Sequence, residues 1–154
     1  MKAVVLSGIV ASLIAAQVPA PAPPPKAVPR LDALAETKLL MEGLAHPNFK
    51  GIERNLRQPP ADKQTWTFAR GQALLIGETA NLLMIRPPRK DGQTAWFERA
   101  MELRTQASQL AKSLAAADYD ASKAGLTNLA NSCNRCHQTF RVPVRVEAFG
   151  DGPP

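Results

Sequence analysis

Two proline pairs, Pro59-Pro60 and Pro87-Pro88, cut this chain into lengths that decide what it can become. Proline lacks the amide proton a helix needs, and its ring strikes the carbonyl four residues back, so each pair is a hard stop. Around the stops, apolar residues recur every three or four positions, the signature of one helix face. Over about residues 61–85 the stripe is Trp66, Ala69, Ala73, Ile76, Ala80 and Leu83, with Asp62 as candidate N-cap. Over about 93–117 it is Trp96, Ala100, Leu103, Ala107, Leu110 and Leu114. A last segment runs from a cap expected at Asp120 to just before Pro143 and carries Leu126, Ala130, Cys133, His137 and Phe140. Ahead of the first stop, Leu31, Leu34, Met41 and Ala45 keep helical spacing over about 31–45. His46-Pro47 reads as an interruption there, followed by a short helical piece over 48–57. The only strand-like alternation, "VPVRVEAF" at 142–149, is isolated and holds a proline. Four amphipathic segments with short connections predict an all-α fold, an antiparallel four-helix bundle over residues 31–142.

The first thirty residues are of another kind. Lys2 precedes an apolar run over 3–16, and small residues near Ala16 and Ala20 offer cleavage points. That is the layout of a signal peptide, expected over 1–20. The run is shorter than the roughly 20 residues a spanning helix needs, so a membrane anchor follows only if the leader stays uncleaved. Residues 21–30 are rich in Pro and Ala and read as an extended linker, and 143–154 as a C-terminal tail. The chain is therefore expected to be exported, to a periplasmic location.

Removing Lys2 with the leader takes the formal charge from +6 to +5. A basic surface suits an acidic protein partner or an anionic membrane, but a solvated surface explains it as well. No basic stripe interleaved with aromatics is present, so nucleic acid is not an expected partner. No nucleophile–base constellation, carboxylate pair or phosphate loop is present either, and no enzyme is expected.

The chain's two cysteines stand together in "NSCNRCHQTFR". On a helix, residues three and four apart share a face, so Cys133, Cys136 and His137 would point the same way. Two thiols at that separation can each add to one vinyl group of a haem, and the adjacent imidazole can then reach the iron. Cys-x-x-Cys-His is the c-type haem attachment motif. Covalent links also suit an exported protein, where lost haem is hard to recover. Three other readings are weaker. A disulfide across two residues closes too small a loop to stabilise much. A thioredoxin-like pair opens a helix after a strand, whereas this pair sits late in a helix. A zinc site wants a fourth ligand, and His46 is the one other histidine. One haem c, covalently bound, is the expected cofactor.

A helical bundle with "CNRCHQTFR" late in its last helix resembles the class II cytochromes c, the group of cytochrome c prime and its low-spin relatives. The resemblance implies that Cys133 and Cys136 attach the haem and that His137 is the proximal iron ligand. It places an aromatic ring and a cation near the haem at Phe140 and Arg141; Phe140 stands where Tyr is commoner. Arg141 also suits a last-turn cation facing the helix dipole. For the far side of the iron the candidates are Met41, Met84, Met101 and His46. The family draws its distal residue from the first helix, which singles out Met41 in "ETKLLMEGL". The family's Arg four positions earlier is here Thr37, with Lys38 beside it. A Met ligand gives a six-coordinate iron suited to electron transfer, with an unidentified redox protein as partner. An open distal site gives a five-coordinate binder of NO or CO. Arg86, Arg89 and Lys90 form a basic cluster, read as a solvated loop or a propionate partner. Relatives often pair through their first two helices, which leaves a homodimer open.

Overall fold

The computed structural model describes residues 31–150, and every regular element among them is helical. The expected leader, the linker and the last four residues of the tail lie outside the described residues. Helix α1 covers 37–55 in three continuous pieces: Thr37–Leu40, a π-helical turn Met41–Ala45, and His46–Asn55. Helices α2 (Lys63–Met84), α3 (Gln93–Ala115) and α4 (Tyr119–Thr139) complete a four-helix bundle.

Neighbouring helices run antiparallel. The indole of Trp96 at the start of α3 donates to the Leu83 carbonyl at the end of α2 (2.7 Å), and Tyr119 at the start of α4 donates its hydroxyl to Leu56 O just past α1 (3.1 Å). The expected stripes face inward: Ala69, Ala73, Ile76, Ala80 and Leu83 meet Ala100, Leu103, Ala107, Leu110 and Leu114 in one core with Leu126 and Ala130. The small residues matter because they let the helix axes approach closely. A Cβ placed on Gly77 would lie 3.7 Å from that of Ala107, and one on Gly125 3.1 Å from Leu110 Cδ1. Each fully buried Leu or Ile here is worth roughly 1.5–3 kcal/mol of transfer free energy.

Two helix boundaries differ from expectation for identifiable reasons. The helical spacing of Leu31 and Leu34 is not used; both are exposed. The Ala35 carbonyl, which a longer helix would need, is taken instead by Arg86 Nε at 3.0 Å, and the first helical acceptor is Glu36 O. Arg86 also bonds Leu82 O, so it serves as a structural tie. At the other boundary, His46-Pro47 does not interrupt α1. The His46 N–H reaches back five residues to Met41 O, and this π turn widens the helix just before the proline. A wider turn relieves the clash a proline ring makes with the carbonyl four residues back.

The α3–α4 connection is three residues long. Asp118 N bonds Ser113 O and Ala117 N bonds Leu114 O, with Ala117 in the left-handed region at φ 53. This is a Schellman ending, with alanine where glycine is preferred. Asp118, not Asp120, then caps α4, its carboxylate accepting from Ala121 N at 3.0 Å. Asp62 caps α2 as expected, accepting from Thr65 N at 2.8 Å.

These geometries predict opposite effects at adjacent positions. Ala117→Gly should raise stability by about 0.5–1 kcal/mol, by releasing the left-handed strain against a modest entropy cost. Asp118→Ala should lower it by about 1 kcal/mol, and Asp120→Ala by much less. Urea unfolding followed by far-UV circular dichroism checks all three.

Candidate functional site

The last two turns of α4 carry the site. Cys133 and Cys136 are half-buried free thiols, and His137 lies beside the second. Cys133 belongs to the rim of the core. Burial pushes its thiol up to about 12, with the neighbouring Cys136 adding to the effect. Cys136 is also raised by burial, while the Arg99 guanidinium pulls the other way. Both thiols are therefore protonated at neutral pH and are poor nucleophiles as they stand.

His137 is held by the chain beyond the helix. Its Nδ1 lies 2.8 Å from the backbone carbonyl of Val144. A carbonyl only accepts, so Nδ1 must carry the proton, and Nε2 is left as the free coordinating nitrogen. This is the arrangement that orients histidines which bind metal.

The two residues between the cysteines are equally engaged. Arg135 donates through Nε to Glu102 Oε1 at 2.7 Å and pairs with the same carboxylate through its terminal nitrogen. Glu102 also pairs with Arg99 at 2.7 Å, so one α3 carboxylate fixes an arginine from each helix beside Cys136. Asn134 turns to the tail: its amide donates to Val146 O and accepts from Val146 N, both at 2.8 Å. Neither partnership was legible in the sequence. Thirty-three positions separate Arg135 from Glu102, and no periodicity links them.

Phe140 ends α4 as its C-cap, packed edge-on against Trp96 with ring centroids 5.2 Å apart and planes at 71°. Gly92 lies beside it, and its left-handed backbone is what requires glycine there. This residue caps α3 at φ 87, and a Cβ there would stand 3.5 Å from the Phe140 ring. Arg141 follows in the left-handed region at φ 55. Val142 N bonds His137 O and Arg141 N bonds Gln138 O, a second Schellman ending. The Arg141 side chain is exposed. Among the distal candidates, Met41 and Met84 are half-buried against the core, at the start of α1's π turn and at the end of α2. Met101 and His46 are exposed. Among the described residues, no three His, Cys, Asp or Glu side chains gather as a metal-ion site.

Residues 91–141 match the family model Cytochrome C'. The matched stretch runs from the turn before α3 through the whole of α4 to Arg141, so it contains Trp96, Glu102 and the complete Cys133–His137 motif. The resemblance to class II cytochromes c is thus found in the comparison as well, over this C-terminal stretch. It implies a c-type haem cytochrome, and the residues fit one. Two free thiols and an imidazole with its outer nitrogen already bonded are the donor set that a covalently attached, histidine-ligated haem requires. No curated protein and no solved structure matches the chain significantly. The Cytochrome C' match ends before the tail residues that hold His137 and Asn134.

The thiol environments predict a reactivity order. In the haem-free chain at mildly alkaline pH, iodoacetamide should label Cys136 well before Cys133, because a thiol held near 12 presents almost no thiolate there. Peptide mass mapping over a time course reads the order, and equal rates would contradict the burial given to Cys133.

Proposed function

We propose that this chain is an exported, periplasmic c-type cytochrome that transfers electrons through one haem c. Cys133 and Cys136 would hold it by thioether bonds, each thiol adding across a vinyl group with its proton passing to the adjacent carbon. His137 Nε2 would ligate the iron on one side and the Met41 thioether on the other. The haem supplies a one-electron iron couple; the protein supplies the two ligands and a packed surround.

The observation that carries this reading is the Nδ1 bond of His137 beside two cysteines on one helix face. Register supports Met41 as the second ligand. Leu56 and Tyr119 touch at the bottom of the α1–α4 pair. Met41 lies as many residues above Leu56 as Asn134 lies beyond Tyr119, which brings Met41 towards the level of the Cys133–His137 turn. It also opens the π turn, a feature frequent at functional sites. A Met ligand closes the iron and raises its potential, which suits electron transfer to a redox protein. The basic surface favours an acidic partner for that exchange. Leu39 on α1 and Phe68, Leu75 and Leu82 on α2 are exposed, the last three seven residues apart, and form the face on which a homodimer would pair.

The test is spectroscopic. Expressed with its leader and a haem-attachment system, the chain should give a low-spin reduced spectrum indifferent to carbon monoxide. Met41→Ala should convert it to a high-spin form that binds the gas. Replacing Cys133 and Cys136 together by Ala should abolish covalent haem. A wild-type spectrum that shifts with carbon monoxide would replace the electron carrier by a five-coordinate binder of NO or CO. A low-spin spectrum that survives Met41→Ala would pass the ligand role to Met84.

A further inference from the structure

We infer that residues 142–149 form a strap that fixes the orientation and tautomer of His137, and that Asn134 is the positioning residue that locks it. This rests on the haem reading above and concerns a part of the chain outside the Cytochrome C' match.

After the Schellman turn at Arg141 the chain reverses and runs back along the bundle. It is tied at three levels. At the top, the Val144 carbonyl receives the Nδ1 proton of His137. Two residues on, the side-chain amide of Asn134 pairs with both backbone groups of Val146, as a neighbouring strand would. Below that, the Phe149 amide donates to Glu53 Oε1 at 2.8 Å, on α1. Glu53 is only 2% exposed, and its other oxygen meets Lys50 at 2.7 Å. A carboxylate so buried requires partners, and the strap supplies one of them. The Phe149 ring sits beneath Lys123 Nζ, 4.9 Å from the ring centroid, and Val146, Ala148 and Phe149 all pack on the core. The strap therefore lies across α4 and α1 together, over the side of the bundle where those helices meet.

The consequence for His137 is specific. The acceptor at Val144 is a backbone carbonyl in a segment with no regular structure, and by itself it would not stay in place. The double pairing at Val146 fixes its position relative to α4, because Asn134 stands one turn below His137 on the same helix. A hydrogen bond from the outer nitrogen of a ligating histidine increases the electron donation of the inner one, which favours the oxidised metal. Locking the strap therefore holds the iron potential down, and releasing it should let the potential rise.

The experiment compares the intact holoprotein with Asn134→Ala, Asn134→Asp and a chain ending at Val142. Each is scored for covalent haem content, for hydrogen–deuterium exchange at the Val146 amide, and for reduction potential. Asn134→Ala should keep its haem, lose protection at Val146 and shift to higher potential. Asn134→Asp keeps the acceptor for Val146 N–H but not the donor, and should fall between. The truncated chain should shift at least as far as Asn134→Ala. A potential unchanged in Asn134→Ala while Val146 exchanges freely overturns the inference, because the strap would then be packing alone. Protection retained at Val146 in Asn134→Ala overturns the role of Asn134. A wild-type chain without covalent haem overturns the parent reading instead, so the two failures are distinguishable.

Discussion

Five consecutive residues on a helix cannot all face one way, and the turn from Cys133 to His137 is built around that limit. Cys133, Cys136 and His137 share one sector of α4 because their spacing matches the helical repeat, with Cys133 at the rim of the core and His137 bonded to Val144 of the tail. Asn134, one turn before His137, meets the same tail, while Arg135 leaves towards α3. Each has been given a partner there: Arg135 is drawn to Glu102 on α3, Asn134 to the backbone of Val146. The turn is thereby clamped to α3 and to the tail, while both cysteines stay free thiols. Phe140, one turn further on, closes the top against Trp96, whose indole is itself bonded to the end of α2.

Charge is placed with the same economy. Glu102 lies between Arg99 and Arg135, beside a thiol whose ionisation they push in opposite directions. Glu53 is almost wholly enclosed and is satisfied by a lysine of its own helix and an amide from the far end of the chain. Losing the strap amide would leave a buried carboxylate oxygen without its donor, so the strap and α1 depend on each other more than their modest contact suggests.

Much of this was legible in the sequence because helices announce themselves by period. The inward stripes of α2 and α3 are the residues the spacing selects, and the Cys-x-x-Cys-His turn falls where a helix face requires. What was hidden depends on backbone geometry or on distance along the chain. The α4 cap moves from Asp120 to Asp118 because Ala117 adopts a left-handed conformation that alanine rarely takes. Pro47 reads as a break, yet a π turn absorbs it. The tail alternates like a strand without a strand partner; its partner is the Asn134 side chain, which no pattern of hydropathy can reveal.

The two sides of the site differ in how firmly they are held. The proximal side stands on α4, which packs extensively on α3 and is clamped by Glu102 and the strap. The candidate distal residue stands on the Met41–Ala45 turn of α1, which packs on α2, whereas α1 meets α4 through its His46–Asn55 portion lower down. His137 is held through Nδ1 by the strap, and Met41 stands on a separately supported turn. The proximal contacts set the basicity of the imidazole. On the proposed ligation, the conformation of that π turn would set whether the Met41 thioether reaches the iron. Local opening is easiest where tertiary contacts are fewest. On the proposed ligation, changes near residues 41–47 should therefore alter the spin state seen in the visible spectrum without lowering the covalent haem content.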